Sequence, residues 1–391
     1  MKIAAAACLV ALAIAAAGSA AGTRKGPSKP VVRGSRIVTT PVVHLRFQAR
    51  ERGVPARRLR FRCAFDGARL RACKASFSGR LAVGSHSLRV RAVDPRGRSG
   101  PITRVRITVR PSGPAVKSIP VSGSPVNVVF AQDAVWASSS DGSVSRIDPA
   151  TNKVAARVAV GTGQLGGLAS GDGSLWVANF DGGQLDRVDP GSGSVVARIA
   201  VGGQPVGPAV AADGTVWVSN FDGSVERIDP STNTVAARIV VGGKAEATAI
   251  ALGLVWSTNN DGTIATIDPA TNQVAGRRIT IDQDVDAIAP APDGVWACTY
   301  YAGTVGFVDP ASRQVAKRLT IGDNCSGIAY AAGAVWASRT QRGQVVRIDP
   351  ATAKVTSTFE VGSRPRDITY GAGSLWVGNE GSGSVSRIPI G

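Results

Sequence analysis

Seven tryptophans at nearly even spacing constrain the fold of this chain more than any other feature. Neighbouring members are 39 to 41 residues apart, and the 391-residue sequence contains no other tryptophan. A period of this length is typical of repeat proteins, in which each copy forms one structural unit that stacks on the next. The seven positions are Trp136, Trp176, Trp217, Trp256, Trp296, Trp336 and Trp376.

Each copy carries four strand signals. Asp141-Gly142 and Asp148-Pro149 are turn sequences that separate two of the strands in the first copy. Four short strands in each copy predict the blade of a β-propeller, so the sequence predicts an all-β protein with seven blades over residues 115–391. The predicted strands of the first copy are residues 127–130, 134–138, 143–147 and 153–160.

The two ends of the repeat region predict how the ring closes. Residues 384–388 of the last copy match residues 143–147 in residue type, and no fourth strand follows them. Residues 115–121, ahead of the first copy, have the pattern of a fourth strand. We therefore expect residues 115–121 to supply the outer strand of the last blade, which removes an open sheet edge.

Two repeated features invite functional interpretations, and a structural interpretation is favoured for both. The tryptophans could stack on sugars, but a residue that recurs in every copy inside an apolar strand is typical of packing between blades. The Asp-Gly pairs could hold calcium, but they lack the dense acidic spacing of a calcium loop and suit tight turns. The sequence accordingly predicts no metal site and no cofactor.

The amino-terminal part of the chain is strongly basic. Residues 23–110 contain 23 Lys and Arg but only three acids, a net charge of +20, whereas residues 111–391 carry a net charge of −3. Residues 22–37 are rich in Gly, Pro, Lys and Arg and are predicted to form a disordered basic tail. Residues 111–114 are predicted to be the linker between the two domains.

From residue 38 to residue 110, apolar and polar residues alternate, which predicts half-buried strands. One face of each strand is apolar and the other carries arginine. The arginine faces are either a surface that binds a polyanion or a solvated face that reflects arginine-rich codon usage. The candidate polyanion-binding residues are Arg58, Arg60, Arg62, Arg89, Arg91, Arg104 and Arg106.

The first 21 residues have the features of a secretory signal peptide. Met1-Lys2 is followed by an apolar run to Ala17 and by small residues, with cleavage expected near Ala20 or Ala21. A retained anchor is the alternative, although the run is shorter than the roughly 20 residues of a membrane span. We expect a protein that is secreted, or held in the cell envelope or periplasm, without a membrane span after cleavage.

Removal of the signal peptide leaves four cysteines, and an even number in an exported protein favours disulfides. Three pairings are possible. We favour Cys63–Cys73 with Cys298–Cys325, because each bridge then stays within one domain. Asp66-Gly67 predicts a hairpin that places the first two cysteines on neighbouring strands.

The copies differ most in the loops at one end of the predicted ring, where propellers usually bind their ligands. Amides, aromatic rings and charges at these positions suit a polar polymer or a peptide, and ordinary loop variation is the alternative interpretation. The candidate ligand-binding residues are Asn179, Phe180, Asn220, Phe221, Lys244, Asn259, Asp284, Tyr300, Tyr301, Arg339, Arg364, Asn379 and Glu380.

The basic domain resembles a known family. Residues 61–67, Cys73 and the Gly84-Ser85-His86 turn resemble small immunoglobulin-like domains of bacterial surface and secreted proteins. The resemblance covers residues 38–110. It implies a β-sandwich that acts as a spacer or adhesion module and implies no catalysis.

The tryptophan copies resemble a second family. Asn179-Phe180-Asp181-Gly182, Ile147-Asp148-Pro149-Ala150-Thr151-Asn152 and similar runs resemble the propeller superfamily of streptogramin (virginiamycin B) lyases and YncE-like periplasmic proteins. The resemblance covers residues 115–391. The lyases open a cyclic peptide lactone by elimination with histidine, glutamate and magnesium. The two histidines of this chain, His44 and His86, lie in the other domain, so lyase activity is not expected.

The favoured hypothesis is an exported, non-enzymatic binding or scaffold protein that is a monomer. We expect its propeller face to bind a peptide, glycan or protein, and its arginine-rich domain to contact an anionic envelope polymer. Nucleic acid is not an expected partner, because export separates the protein from nucleic acid and the sequence contains no nucleic-acid-binding motif. The alternative hypothesis is a lyase or hydrolase of cyclic esters or glycans that uses carboxylates such as Asp284 or Glu380.

Overall fold

A computed structural model of the chain describes residues 26–38, 42–82, 84–109 and 115–390. The predicted signal peptide and linker lie outside these ranges. The chain divides into two compact units, with the boundary between Ser112 and Gly113. The described helices are two short 3₁₀ turns, Ala56–Arg58 and Glu380–Ser382, and every other described element is a β-strand. No helix in these ranges has the length and apolar character needed to cross a membrane.

The amino-terminal unit is a small β-sandwich of two sheets. Its strands are β1 (Val31–Arg33), β2 (Ile37–Val38), β3 (Val42–Gln48), β4 (Arg60–Phe65), β5 (Arg71–Cys73), β6 (Ser76–Arg80), β7 (Gly84–Val93) and β8 (Thr103–Val109). One sheet has the strand order β2-β8-β7-β4-β5, and the other has the order β1-β3-β6. Because apolar residues alternate with polar ones along each strand, one face of each sheet is apolar, and these faces share one core. Val43, Leu45, Leu88 and Ile107 in that core are at most 1% exposed.

The structure differs from the sequence expectation at residues 22–37, for which a disordered tail is predicted. In the described part of this segment, β1 pairs with β3, and β2 pairs in parallel with β8. Two short apolar pairs, Val31-Val32 and Ile37-Val38, suffice for edge strands, which tolerate the Gly, Pro and Arg around them. The described strands of the sandwich therefore begin before residue 38.

The two favoured disulfides are both present. Asp66 and Gly67 have φ values of 47° and 84°, and this pair of positive values is that of a type I′ turn. The turn leads from β4 towards β5, where Cys63 is bonded to Cys73 with the two Cα atoms 5.9 Å apart. Cys298 and Cys325 form the second bridge, also with 5.9 Å between Cα atoms. Structural disulfides are typical of proteins outside the cytoplasm.

The carboxyl-terminal unit is a seven-bladed β-propeller, as predicted. Each blade is an antiparallel sheet, and in blades 1 to 6 the strands follow chain order from the ring centre outwards. The unit begins with β9 (Lys117–Pro120), and blades 1 and 2 contain β10 (Pro125–Ala131), β11 (Ala134–Ser139), β12 (Ser143–Asp148) and β13 (Lys153–Ala159), then β14 (Leu168–Gly171), β15 (Ser174–Asn179), β16 (Gln184–Asp189) and β17 (Ser194–Ala200). Blades 3 and 4 contain β18 (Pro205–Val210), β19 (Val216–Asn220), β20 (Ser224–Asp229) and β21 (Thr234–Val240), then β22 (Ala245–Ala251), β23 (Leu254–Asn259), β24 (Thr263–Asp268), β25 (Gln273–Val274) and β26 (Ile279–Thr280). Blades 5, 6 and 7 contain β27 (Val285–Ala291), β28 (Gly294–Thr299), β29 (Thr304–Asp309) and β30 (Gln314–Thr320), then β31 (Ile328–Ala331), β32 (Ala334–Arg339), β33 (Gln344–Asp349) and β34 (Lys354–Glu360), and finally β35 (Pro365–Gly371), β36 (Ser374–Asn379) and β37 (Ser384–Pro389).

The ring closes by the predicted exchange of a terminal strand. β9 pairs antiparallel with β37, so that Ile119 lies opposite Val385 and Ser118 lies opposite Ser386. β9 is therefore the outer strand of blade 7, in the order β35-β36-β37-β9. The inner strands of the first and last blades, β10 and β35, are also in contact. The two ends of the repeat region are thus held in one sheet, which leaves no gap between blades 1 and 7.

The tryptophans pack between blades, which confirms their structural interpretation. All seven are at most 2% exposed, and Trp136 of blade 1 lies in one cluster with Leu165 and Val177 of blade 2. In five blades an arginine on the third strand lies against the tryptophan ring. Arg187, for example, has its guanidinium carbon 5.0 Å from the Trp176 ring centroid and donates to the Pro230 carbonyl of the next blade at 2.8 Å. In these five blades the seam therefore combines aromatic packing with a cation–π contact.

The Asp-Gly pairs support turns, as the sequence indicates. The Asp141 carboxylate accepts hydrogen bonds from the Ser143 backbone NH at 3.1 Å and from Ser143 Oγ at 2.6 Å. Arg157 on the fourth strand pairs with the same carboxylate at 2.8 Å. Asp222 and Asp261 repeat this arrangement in blades 3 and 4.

Glu226 on β20 is a buried acid whose titration should make the stability of the propeller depend on pH. It is 1% exposed, and burial raises its pKa to about 7 although Ser224 and Arg238 contact its carboxylate. The pKa of the unfolded state is near 4.5. The folded form therefore binds the proton more tightly, and its free energy of unfolding falls as pH rises from about 4.5 to 7.

Glu226→Gln is expected to remove this part of the pH dependence. As pH rises from 4 to 8, the free energy of unfolding of the unmodified chain should fall by about 3 kcal/mol relative to that of the variant. Urea unfolding across that range measures the difference. Equal pH dependence of the two proteins would contradict the assignment.

Candidate ligand-binding site

One end of the ring, which we call the loop face, carries the loops in which the copies differ. Backbone hydrogen bonds hold these loops in pairs: Phe221 donates to Gln204 at 3.1 Å, and Tyr300 donates to Asp284 at 2.9 Å. Each loop after a second strand is thus fixed to the segment that enters the inner strand of the same blade. The loop face comprises residues 140–142, 180–183, 221–223, 260–262, 300–303, 340–343 and 380–383, together with 121–124, 160–167, 201–204, 241–244, 281–284, 321–327 and 361–364.

Four of the predicted ligand-binding residues are buried supports of these loops. Asn179, Asn220, Asn259 and Asn379 are at most 5% exposed. Asn179 donates to Asp186 at 3.1 Å and accepts from the Gly182 NH, and Asn379 donates to Ser386 Oγ at 2.9 Å. Their amides bridge the second and third strands, so they are not accessible to a ligand. Sequence position at the strand end did not distinguish an amide that faces solvent from one that faces the blade interior.

The predicted aromatic residues do come together on the loop face. Phe180 and Phe221 make an edge-to-face pair with ring centroids 5.2 Å apart, and Tyr300 and Tyr301 make a similar pair at 5.1 Å. Lys244 Nζ lies 5.4 Å from the Phe221 ring centroid. Tyr301 is 70% exposed, which is unusual for so large a ring.

Phe221, Lys244 and Tyr301 line an open pocket of about 540 Å³ between blades 3 and 5, whereas Phe180 and Tyr300 do not line it. Its volume falls in the range that small-molecule sites occupy. The lining combines two aromatic rings, one lysine, amides and carboxylates. The residues are Phe221, Lys244, Glu246, Asn260, Asp261, Gln283, Asp284 and Tyr301.

The carboxylates in and beside the pocket have unusual titration. Burial, together with the charges of Asp286 and Asp284, raises the pKa of Glu246 to about 8. Burial raises the pKa of Asp286 to about 6 and also raises the pKa of Asp284, while the Arg366 guanidinium lowers both. Among the ion pairs of the described residues, none joins Arg366 to these carboxylates.

Glu246 and Asp286 were missed by the sequence analysis, although the repeat offers a signal for them. Both are the second residue of an inner strand. The equivalent residues of blades 1, 2, 3 and 6 are Val126, Gly166, Val206 and Ser326. An alignment of the inner strands, rather than of the loops alone, identifies blades 4, 5 and 7 as the charged ones.

The remaining predicted residues lie on blades 6 and 7, and none of them lines this pocket. Arg364 forms an ion pair with Glu380 at 3.1 Å. Arg339 donates weakly to Gln344 at 3.5 Å, and burial lowers its pKa. The Cys298–Cys325 bridge connects the end of β28 in blade 5 to the segment that enters blade 6. It therefore ties two neighbouring blades together at the loop face.

No group of three or more His, Cys, Asp or Glu residues is arranged to hold a metal ion in the described part of the chain. The histidines have contacts within the sandwich unit. His86 Nδ1 is 2.6 Å from the Asp66 carboxylate and Nε2 is 2.7 Å from the Ala82 carbonyl oxygen. The hydrogen bond that His86 donates to the Asp66 carboxylate raises the pKa of His86.

Six of the seven predicted polyanion-binding arginines lie on the outer face of one sheet. Arg60, Arg62, Arg104 and Arg106 are exposed, and Arg89 and Arg91 are half-buried. Arg62 lies opposite Arg91, and Arg89 lies opposite Arg104. Arg58 is outside the sheet, on the 3₁₀ turn Ala56–Arg58, where it lines a separate cavity of about 870 Å³.

Comparisons with known proteins identify the architecture only. Residues 288–391 match a family model described as "Repeat of unknown function (DUF6923)". None of the curated proteins matches the chain. Among solved structures, a chain of hydrazine synthase from Kuenenia stuttgartiensis is similar, with a TM-score of 0.62 and 18% sequence identity over 68% of this chain and 95% of that one. At this identity the likeness concerns the fold alone, so the chain is an all-β repeat protein with a propeller of the kind found in that structure.

Proposed function

We propose that this protein is an exported, non-enzymatic binding or scaffold protein. Its propeller binds a peptide, glycan or protein at the loop face, and its arginine-rich sandwich contacts an anionic surface of the cell envelope. The motif resemblance to YncE-like and streptogramin-lyase-like propellers, and to bacterial immunoglobulin-like domains, supports this proposal. The two disulfides and the signal-like first 21 residues support export.

The pocket between blades 3 and 5 is the observation that carries the propeller half of the proposal. It gathers aromatic rings, amides and carboxylates at the positions where the blades differ from one another. Exposed aromatic rings offer a ligand a large apolar contact at a low cost in conformational entropy. Lys244 and Asp284 supply polar groups that fix the orientation of a bound molecule.

Tyr301→Ala is expected to weaken binding of the ligand about tenfold, because this aromatic ring of the pocket is 70% exposed and open to contact. The measurement is binding of the labelled protein to panels of glycans and peptides, followed by titration of each hit. Tyr370→Ala is the matched control, since this tyrosine is 45% exposed on the inner strand of blade 7 and does not line the pocket. Equal binding by both variants would argue against this pocket.

A second candidate function is hydrolysis or elimination by carboxylates. Glu246 and Asp284 line the same pocket and both have raised pKa values, which is typical of acid–base residues as well as of binding sites. Incubation of the protein with lactones and glycans tests it, with Asp284→Asn and Glu246→Gln as variants. Turnover that both substitutions abolish would favour the enzyme over the binding protein. Glu380→Gln is the control, because Glu380 is paired with Arg364 away from the pocket.

A further inference from the structure

The six arginines on the outer face of the five-stranded sheet form a continuous diagonal stripe. Arg106 and Arg104 follow one another on β8, Arg104 is opposite Arg89 on β7, Arg91 is opposite Arg62 on β4, and Arg60 is next on that strand. Residues two apart on a strand are about 7 Å apart, and adjacent strands are about 5 Å apart. The stripe therefore runs for roughly 20 Å in one direction across three strands.

No acid of the sandwich neutralises this stripe. The sequence from residue 23 to residue 110 contains only Glu51, Asp66 and Asp94. Glu51 and Asp94 are both paired with Arg98 at 2.7 Å, and Asp66 is paired with His86 at 2.6 Å. All three acids are thus engaged elsewhere, while like charges directly opposite on neighbouring strands destabilise a sheet. The sandwich holds six cations together without an internal counter-charge.

Arg91, at the centre of the stripe, adds an independent observation. Its Nε is buried and has no hydrogen-bond partner among the described residues. A buried donor of this kind is usually satisfied in a folded protein, because leaving it without an acceptor costs free energy. Arg89, its neighbour on β7, donates to the Ala68 carbonyl at 2.6 Å, which fixes the orientation of that guanidinium. The centre of the stripe therefore offers this donor no acceptor among the described residues.

We propose that this stripe binds a linear phosphate-bearing polymer along its length. The inference deepens the proposed function and rests on it for the envelope location. One guanidinium group can donate two parallel hydrogen bonds to a phosphate group. Of the 23 basic residues between residues 23 and 110, 20 are arginine. A narrow row of closely spaced cations matches successive phosphates of one chain, whereas a membrane surface would contact a broad basic patch.

The test uses the purified full chain and long-chain polyphosphate as the probe. Replacement of Arg62, Arg104 and Arg106 by Gln removes three exposed members of the stripe. We expect this variant to bind polyphosphate about 100-fold more weakly and to lower the slope of log affinity against log salt by about 3. The matched control replaces Arg33, Arg46 and Arg80 by Gln, which are exposed on the other sheet and change the net charge equally. It should lose less than about threefold.

Three results would overturn the proposal. Equal losses in the two triple variants would assign binding to net charge rather than to the stripe. Tripolyphosphate that binds as tightly as the long chain would indicate a single-anion site. Tighter binding to phosphatidylglycerol vesicles than to polyphosphate would indicate a membrane surface. Replacement of the same three arginines by Lys keeps the charge and should retain the salt slope while lowering affinity, so a misfolded Gln variant does not leave the question open.

Tyr301→Ala separates this inference from the proposed function of the propeller. That variant should bind polyphosphate as the unmodified chain does, because Tyr301 lies in the other unit. If the unmodified chain binds a ligand at the pocket but does not bind polyphosphate, the stripe proposal alone is rejected. If the unmodified chain binds polyphosphate but no peptide or glycan at the pocket, the propeller half of the proposed function is rejected.

Discussion

Replacement of Trp256 by alanine is expected to lower the free energy of unfolding of the propeller by about 4 kcal/mol. Trp256 is fully buried, and it packs with Ile264 of its own blade and with Val285 and Val295 of blade 5. Removal of the indole leaves a cavity at the seam that rigid strands on both sides cannot refill. It also leaves the Ala251 carbonyl without the Trp256 Nε1 donor, now 3.0 Å away.

Trp256 is the most informative of the seven tryptophans for this test. Thr266 lies opposite it, where five other blades place an arginine against the ring, so the substitution removes aromatic packing without a cation contact. Chemical denaturation followed by circular dichroism gives the change in stability. Tyr301→Ala is the control and should change stability by less than about 0.5 kcal/mol, because its ring is largely exposed. A loss of similar size in the control would show that any aromatic truncation has this effect.

Much of the fold could be predicted from the sequence because the repeat supplies seven observations of one unit. The four strands predicted for the first copy agree with β10 to β13 within two residues at each end. The tight turns are local, since the side chain of Asp141 bonds to residues only two positions away. The outer strand of blade 4 is an exception: it is divided into β25 and β26 around Gly276, which has a φ of 69°. A single departure of this kind has no counterpart in the other copies from which to predict it.

The candidate site could be predicted only in part, because the direction in which a side chain points and its burial depend on the tertiary structure. The aromatic loops were identified because they vary between copies, and Phe221 and Tyr301 do share a pocket. The asparagines at the same strand ends turn inwards, since Asp186 and Ser386 on the third strands offer partners there. The inner-strand carboxylates escaped notice because their neighbours lie about 40 residues away in sequence and meet only when the ring forms.

The stripe of arginines shows a similar division between sequence and structure. Alternation along each strand predicts which arginines share a face of one strand. The register that sets Arg62 against Arg91 and Arg89 against Arg104 depends on how β4, β7 and β8 pair, which the alternation leaves open. Pairing is what converts three separate rows into one continuous surface.

Ring closure provides the second large effect. Ile119→Asp is expected to destabilise the propeller by about 4 kcal/mol or more, because it places a charge among Val128, Trp376 and Val385 in the closing seam. β9 has only four residues, so one unfavourable side chain should release the strand from β37 and expose it to protease. Thermal unfolding and limited proteolysis measure the two consequences. Ser118→Asp is the control, since Ser118 is exposed on the same strand.

A cysteine pair tests whether the loss comes from closure itself. Ser118 and Ser386 face each other across β9 and β37, so Ser118→Cys with Ser386→Cys should form a disulfide in the oxidised protein. The bridge would hold β9 in place and restore much of the stability lost in Ile119→Asp, and reduction should remove the rescue. The entropic gain from joining residues so far apart is about 5 kcal/mol in the loop model, which is large enough to offset the substitution. If Ile119→Asp unfolds at the same temperature as the Ser118→Asp control, the ring holds together without the terminal strand. Closure by β9 would then not be what stabilises this propeller.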